Sequence, residues 1–526
     1  MDKRNTTAPP FPEGYRASGV LLHVTSLPSP YGIGDLGPDA LSWIDRLKEA
    51  EQGWWQLLPL GPTGYGNSPY ASLCSFAGNA LVISPDALIE DGLLKKDDLD
   101  IPSFPAGFVD YEAVGTFKHR LIDKAWDNFK GGARADLRPA YEQFCNDQRH
   151  WLEDFALFQS LKVQFHDDHY LKWPTELVRR DRVALDSARG ELAGEIERGS
   201  FAQFLVSRQA ERLQSYARAR GVKLIGDMPF FVSADSSDVW AHPELFLLDE
   251  QRRPRFVAGV PPDYFSAQGQ LWGDPVYDWQ VLGQTGYRWW IDRLAVLLKH
   301  VELVRLDHFR AFAAAWHVPA GAQTAESGKW LPGPGDDFFK AVDRALGGLP
   351  FIAEDLGIIT SDVNALRDRF CLPGMRVLQF AFDGQSDNPH LPDNFVRNCV
   401  AYTGTHDNPT TRSWFEDLPE GQRDTVRKYL QQRAQVSGDA AHGLMELAWS
   451  SIAELAIAPL QDLLNLGREA RMNVPGRPEG NWRWRCTEEM LSDPAFEWLR
   501  NLTKSANRSQ GLTTRNAQIM EAASRS

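Results

Sequence analysis

Three apolar runs of the chain each end on a carboxylate: Leu303-Val-Arg-Leu-Asp-His-Phe309, Phe351-Ile-Ala-Glu-Asp-Leu-Gly357 and Cys399-Val-Ala-Tyr-Thr-Gly-Thr-His-Asp407. A short apolar run reads as a buried strand, and an acidic residue at its end puts a charge at the strand's rim. Three such runs offer Asp307, Glu354 and Asp407 to one cavity. Carboxyl groups flanking a scissile oxygen are the equipment for breaking a glycosidic bond.

Arg305 and Asp307 stand two apart on their run, so both side chains point the same way. A guanidinium facing the same cavity lowers the neighbouring carboxyl's pKa by roughly 1 to 3 units and keeps it ionised, as a nucleophile must be. Alone, an R-x-D pair reads as a structural ion pair; Glu354 and Asp407 at equivalent rims favour the functional reading. Repulsion from Asp307 and Asp407, with partial loss of water, is expected to raise the pKa of Glu354 so that it holds a proton at neutral pH, as a general acid/base does. Asp355 falls on the opposite face of the strand and reads as structural. His406 beside Asp407 is a weak signal by itself, but such a pair at a strand end can bind sugar hydroxyls and stabilise an oxocarbenium ion.

Aromatic residues support a carbohydrate site. There are 18 tryptophans, and Tyr65, Tyr70, Tyr264, Phe265 and Trp272 lie in Gly/Pro-rich segments where core packing is not the default. A flat apolar ring with a polar rim suits the face of a sugar.

The elements that must position these groups number eight short β-like runs: Gly19 to Leu27, Trp54 to Leu60, Val222 to Pro229, Leu303 to Phe309, Phe351 to Leu356, Arg376 to Phe382, Cys399 to His406 and Ala456 to Asp462. Helical patterns separate most of them, for example Pro38 to Lys48 and Gly286 to Leu298. Strand then helix, eight times over, predicts a (β/α)8 TIM barrel, an α/β fold whose active sites sit at the carboxyl ends of the strands. The three carboxylates stand at those ends.

Uneven spacing marks insertions, mainly helical, in a single catalytic barrel spanning 1–526. Roughly 160 residues separate the second and third runs, and a helical insertion is placed at 86–215. There Phe144, Trp151, Phe155, Phe158, Leu161 and Phe165 follow helical steps and predict one apolar helix face, a packing surface. A second insertion, 233–285, contains Val257 to Gly273, rich in Gly, Pro and aromatics, which reads as an irregular active-site lid. Only Ser505 to Ser526 looks loosely held.

Composition narrows the function. A formal net charge of −14 opposes polyanionic partners, so nucleic acid is not expected. No signal peptide or membrane-length apolar stretch is visible, and the five scattered cysteines form no C-x-x-C pair, which together predict a cytoplasmic protein with reduced thiols, no metal and no membrane association. Gly32-Ile-Gly-Asp-Leu-Gly37 has the G-x-G-x-x-G spacing of a dinucleotide turn, but the next run, Trp54 to Gly61, supplies no acidic residue for a ribose. No cofactor is expected.

Several strings, in order, resemble the 4-alpha-glucanotransferases called amylomaltase or disproportionating enzyme, glycoside hydrolase family 77, relatives of the alpha-amylases. They are Ser26-Leu-Pro-Ser-Pro-Tyr-Gly-Ile-Gly-Asp-Leu-Gly37, Gly61-Pro-Thr-Gly-Tyr-Gly-Asn-Ser-Pro-Tyr70, Gly226-Asp-Met-Pro229, Gly259-Val-Pro-Pro-Asp-Tyr-Phe-Ser266, Gly269-Gln-Leu-Trp-Gly273, Arg305-Leu-Asp-His-Phe-Arg310, Ala353-Glu-Asp-Leu-Gly357, Gly404-Thr-His-Asp-Asn408, Arg471-Met-Asn-Val-Pro-Gly476 and Asn481-Trp-Arg-Trp484. The resemblance implies Asp307 as nucleophile, Glu354 as acid/base and Asp407 as transition-state stabiliser, with Asp227, Arg305 and His406 completing the central subsite. It also implies that Trp272 lies beside the donor sugar, that Tyr264 and Phe265 approach acceptor sugars, that Asn473 and Pro475 line the site, and that Tyr70 or Ser68 contacts sugar. The implied reaction is retaining transfer between α-1,4-glucans or maltooligosaccharides as donor and acceptor, in a monomer or homodimer. Retention calls for carboxyl groups about 5 to 5.5 Å apart. An α-amylase-like hydrolase and a non-catalytic glucan-binding protein are the alternatives. Asp274, Ala311 and Ala71 depart from the family pattern, which bears on subsite preference and not on the reaction.

Overall fold

The computed structural model describes residues 8–262, 268–433, 438–477 and 479–509. Its strands are β1 (Ala17–Leu21), β2 (Trp54–Gln56), β3 (Lys223–Met228), β4 (Phe256–Val260), β5 (Gln270–Pro275), β6 (Leu303–Leu306), β7 (Ala314–Pro319), β8 (Lys329–Pro332), β9 (Phe351–Ala353), β10 (Gly374–Val377), β11 (Cys399–Tyr402) and β12 (Leu455–Pro459). A closed barrel forms in the order β1-β12-β11-β10-β9-β6-β3-β2, with all pairings parallel. Each of the eight apolar runs supplies one barrel strand, and the (β/α)8 expectation holds.

Local sequence explains the crossovers. The helix Pro38–Glu49 starts with Pro at its first position, after Gly37, and buries Ala40, Trp43, Ile44 and Leu47 at helical spacing. Strand alternation then fills the barrel: Ala17, Leu21, Trp54, Ile225, Leu303, Ile352, Met375, Val377, Val400, Leu455 and Ile457 form one buried cluster with Phe11 and Tyr15. The Trp54 Nε1 donates to the Tyr15 hydroxyl at 2.7 Å, tying the residues ahead of β1 to the barrel interior. Burying a side chain of this size contributes about 1.5–3 kcal/mol, so the apolar layers form a stiff floor. Polar residues occupy the next layer toward the carboxyl ends: Asp227 follows Ile225 by two, Arg305 follows Leu303 by two, and the register sets Asp227 beside Arg305.

The aromatic stripe divides between two helices rather than forming one face. Arg138–Asp147 ends at Gln148 and Arg149–Gln164 begins there, with Phe144 on the first, Trp151, Phe155, Phe158 and Leu161 on the second, and Phe165 just beyond its end. Gln148 stands at the break, its Oε1 accepting from Trp151 Nε1 at 2.8 Å. The preceding Asn146 and Asp147 are weak helix formers, and the short polar side chains favour a turn there. The stripe residues on the second helix are buried, as a packing role requires.

Both described ends of the segment read as irregular from Val257 to Gly273 are strand. β4 and β5 pair antiparallel, and with β7 and β8 they form a separate sheet in the order β5-β4-β7-β8. Gly259 permits this pairing, since a Cβ there would stand 2.4 Å from the Gln270 carbonyl oxygen. Two strands of the sheet lie beyond 285, after β6, where Ala314 to Pro332 carries no clear alternation of its own.

The chain from Ser505 to Ser509 is held firmly, contrary to the sequence expectation. Arg508 is fully buried and donates to the carbonyls of Trp449 at 2.6 Å, Ala453 at 2.9 Å, and Ala17 and Ser451 at 3.0 Å. Several of these carbonyls end the helix Ala440–Ser450, where a cation also meets the negative end of the helix dipole. Arg508→Ala is expected to lower unfolding free energy by about 3–5 kcal/mol, measured by chemical denaturation; a loss under about 1 kcal/mol would show that water replaces the guanidinium. Among the described residues no helix is long and apolar enough to cross a membrane.

Candidate active site

Asp307 follows β6 directly and Glu354 follows β9 directly, on adjacent strands of the barrel. Arg305, 4 % exposed, reaches Asp227 through Nη1 at 2.9 and 2.8 Å and Asp307 Oδ1 through the same nitrogen at 2.9 Å. One buried guanidinium therefore bridges two carboxylates. Its own cationic form is strongly favoured, chiefly by Asp227 and Asp307 against the cost of burial. Burial raises the Asp227 pKa while Arg305 opposes the rise, and the Tyr70 hydroxyl donates to Asp227 Oδ2 at 2.7 Å.

Glu354 is placed by its neighbours' backbone. The amide of His308 donates to Oε2 at 2.7 Å and that of Leu356 to Oε1 at 2.9 Å. His308 adopts left-handed geometry (φ 49°), which turns the chain after Asp307 so that its amide faces β9. Those two donors and Arg305 favour the charged carboxylate, yet burial, aided by Asp307, outweighs them and pushes the Glu354 pKa up to about 8. Two carboxyl groups one strand apart thus differ in kind. Asp307 carries a direct ion pair, and Glu354 holds a proton at neutral pH.

Asp407 stands five residues past β11 and is held by a separate loop. Asn473 Nδ2 donates to its Oδ1 at 2.7 Å, His406 Nε2 lies 3.4 Å from the same oxygen, and Arg471 donates to its carbonyl at 2.8 Å. Arg471 also donates to the Asn473 carbonyl at 2.7 Å, locking loop and carboxylate together. The His406 ring stacks on Tyr70 with centroids 5.0 Å apart and planes 14° from parallel. Tyr70 in turn joins Asp227, so His406, Tyr70, Asp227, Arg305 and Asp307 form one connected chain across the mouth.

The other residues named from sequence are less uniform. Trp272 on β5 meets the His308 ring edge-on at 4.9 Å, which brings the sheet over β6. Ser68 is half-buried and its hydroxyl accepts from the Tyr70 amide at 3.3 Å, so it shapes the turn that presents Tyr70. Pro475 is exposed in the loop that follows Asn473. Tyr264 and Phe265 lie outside the described residues. Asp355 is buried against Arg367 and Arg376 and accepts from the Met375 amide at 2.7 Å, on the side away from Glu354.

Sequence reasoning missed three contributors. Trp482 packs 5.7 Å from Tyr70 and 5.9 Å from His406, Arg471 clamps Asp407, and Phe231 packs 6.2 Å from Trp272. Arg471 and Trp482 do stand inside the strings quoted above; Phe231 carries no signal beyond following Pro229 at a strand end. A cavity of about 430 Å³ lies behind the site, toward the helix Ala193–Ala219, and touches Tyr70 and Asp227 but none of Asp307, Glu354 and Asp407. The side chains of Asp307 and Asp407 are 27 % and 47 % exposed, so they face the open mouth instead. Among the described residues no group of His, Cys, Asp and Glu is placed to hold a metal ion.

Residues 22–491 match the Glyco_hydro_77 family, described as 4-alpha-glucanotransferase. A 4-alpha-glucanotransferase of Thermus thermophilus is 46% identical over 498 residues, covering 94% of this chain and 99% of the relative. One of Synechocystis sp. is 47% identical over 489 residues, covering 92% of this chain and 95% of the relative. Among solved structures, the amylomaltase of Streptococcus agalactiae in complex with acarbose superposes with a TM-score of 0.90 at 36% identity, over 94% of this chain and 100% of that one.

Proposed function

Because the chain belongs to the 4-alpha-glucanotransferase family and carries that activity, we propose that it moves α-1,4-glucan segments by a retaining double displacement on Asp307 and Glu354. In the first half, an Asp307 oxygen attacks the anomeric carbon at the site of cleavage. The bond to the departing 4-oxygen breaks as Glu354 transfers its proton there, leaving a glucosyl ester on Asp307. In the second half, Glu354 takes the proton from the 4-hydroxyl of another glucan. That oxygen bonds to the anomeric carbon, Asp307 departs as carboxylate, and Glu354 is again protonated.

The observation that carries this reading is the contrast between neighbours: Asp307 is ion-paired to Arg305, while Glu354, one strand away, has a pKa of about 8. Asp407, held at the mouth by Asn473, is suited to stabilise the oxocarbenium-like transition state electrostatically. The donor sugar is assigned to the stretch formed by Asp227, Arg305, His406 and Trp272, with Tyr70, Ser68, Asn473 and Pro475 around it and Tyr264 and Phe265 on the acceptor side. The S. agalactiae relative was solved in complex with acarbose, which supports a glucan-like ligand for this chain.

Choosing a sugar over water as acceptor requires the ester to be kept dry until an acceptor arrives. The aromatic segment between β4 and β5 is assigned that task, and shortening 260–268 is expected to raise hydrolysis relative to transfer. An unchanged ratio would remove the segment from the mechanism. The decisive assay for the function is incubation with maltotriose. Transfer yields longer and shorter maltooligosaccharides at a constant number of reducing ends, whereas net growth of reducing ends would make the protein a hydrolase. We further assign a single catalytic barrel over 1–526 with insertions at 86–215 and 233–285, a cytoplasmic location, glycogen- or starch-derived glucans as substrates, and a monomer or homodimer. No cofactor is assigned.

A further inference from the structure

His23 follows β1 and is 7 % exposed, and its ring makes no hydrogen bond to any described residue; Nδ1 is buried without a partner. Burial pushes its pKa down to about 3, so the ring is neutral at working pH. A neutral imidazole has one donor and one acceptor nitrogen, and leaving the buried Nδ1 without a partner is costly.

Two small cavities adjoin this ring. One, of about 20 Å³, is lined by His23, His406, Gln461 and Arg471 among others; the second, of about 10 Å³, by His23, Thr25, Tyr111 and Trp482 among others. The first contains a further buried oxygen without a partner, Gln461 Oε1; in the second, Thr25 Oγ1 faces the Tyr111 hydroxyl, which donates to the Trp482 carbonyl at 2.7 Å. A water molecule needs roughly 10–15 Å³ and two to four polar neighbours. The first cavity meets both conditions, and the second meets the volume condition at its lower bound.

The stack on Tyr70 fixes the plane of the His406 ring but not which edge faces Asp407, because a half-turn about the ring's attachment leaves the stack unchanged. The contact of Nε2 with Asp407, at 3.4 Å, is too long to hold one orientation firmly, so a hydrogen bond at Nδ1 decides it. We propose that ordered waters in the two cavities link His406 through His23 to Thr25, and that this relay sets the orientation and tautomer of His406 so that Nε2 addresses the Asp407 carboxylate. His23 is then a positioning residue, acting through His406 without touching substrate. This inference rests on the reading that His406 and Asp407 serve the transfer reaction.

A high-resolution crystal structure of the unaltered protein tests the relay directly: water density is expected in both cavities, within hydrogen-bond reach of the His23 ring. The ring-nitrogen NMR signals of His406 should report one tautomer. In His23→Phe, which keeps a ring but no hydrogen-bonding atoms, kcat for maltotriose transfer should fall about 10- to 100-fold with KM changed by less than about twofold, and the His406 signals should become those of a mixture. His23→Gln should recover part of kcat. Asp407→Asn, assayed alongside, separates the two claims. If it stays active, the reading of the site fails; if it is inactive while His23→Phe transfers at the original rate, the relay alone is overturned. Should His23→Phe not fold, dry cavities or a mixed His406 tautomer in the unaltered protein overturn it equally.

Discussion

Replacing Asp307 with Asn is expected to lower maltotriose transfer by at least about 10⁴-fold with little change in melting temperature. The amide matches the carboxyl in shape but cannot form the glucosyl ester, so the loss falls on kcat. The fold should tolerate it because Arg305 is not left without a counter-ion: the same guanidinium remains paired with the buried Asp227 at 2.8 Å. Removing Asp227 instead would leave Arg305 only the more exposed Asp307 and should destabilise the barrel as well. Steady-state transfer rates and a thermal melt on Asp307→Asn decide the matter. A variant within tenfold of the original rate would mean that another group attacks the anomeric carbon.

Glu354→Gln is expected to reduce transfer of natural glucans by about 10³-fold and to change the pH profile in a way Asp307→Asn cannot. The sign follows from the raised pKa of about 8. The active form carries the proton, so in the unaltered enzyme kcat/KM should be level through neutral pH and fall about tenfold per pH unit above 8. Glutamine has no titrating proton, and that alkaline limb should disappear from the residual rate. A glucosyl donor whose leaving group departs without protonation should recover much of the first half-reaction and let the ester on Asp307 accumulate, visible as a mass increase of the intact chain. If the alkaline limb persists in Glu354→Gln, the group that titrates there is not Glu354.

Both predictions depend on how opposite characters arise in two neighbouring carboxyl groups, and only part of that was legible beforehand. The pairing of Arg305 with Asp307 follows from their spacing of two on a strand, and the structure shows it. The raised pKa of Glu354 is expected from crowding by Asp307 and Asp407 together with partial loss of water. Burial is the larger cause, and Asp407 is not among the principal ones. Crowding could be guessed from three strand ends meeting. Some loss of water is expected at a strand end, but its extent, here the dominant cause, depends on what covers the rim, which no local pattern reports.

Other differences have the same origin. The helix break at Gln148 is hidden in an apolar stripe whose steps continue through it, because hydrophobic spacing records which side chains seek the core and not whether the backbone between them is continuous. Arg508 reads as part of a polar tail, yet the carbonyls it satisfies come from Ala17 and from the end of a helix at 440–450. Trp482 and Arg471 act on His406 and Asp407 from a segment more than sixty residues away in sequence, and the separate sheet joins strands from both sides of β6.

The sequence by itself determined the eight strands, their parallel closure and the presence of Asp307, Glu354 and Asp407 at carboxyl ends, because strand polarity and alternation are local properties written in runs of a few residues. Tertiary structure alone decided that Arg305 would take Asp227 as a second partner, that Tyr70 would stack on His406, and that Asn473 would hold Asp407. Those are contacts between distant segments, and their energies depend on distance and on exclusion of water, neither of which exists until the barrel has closed.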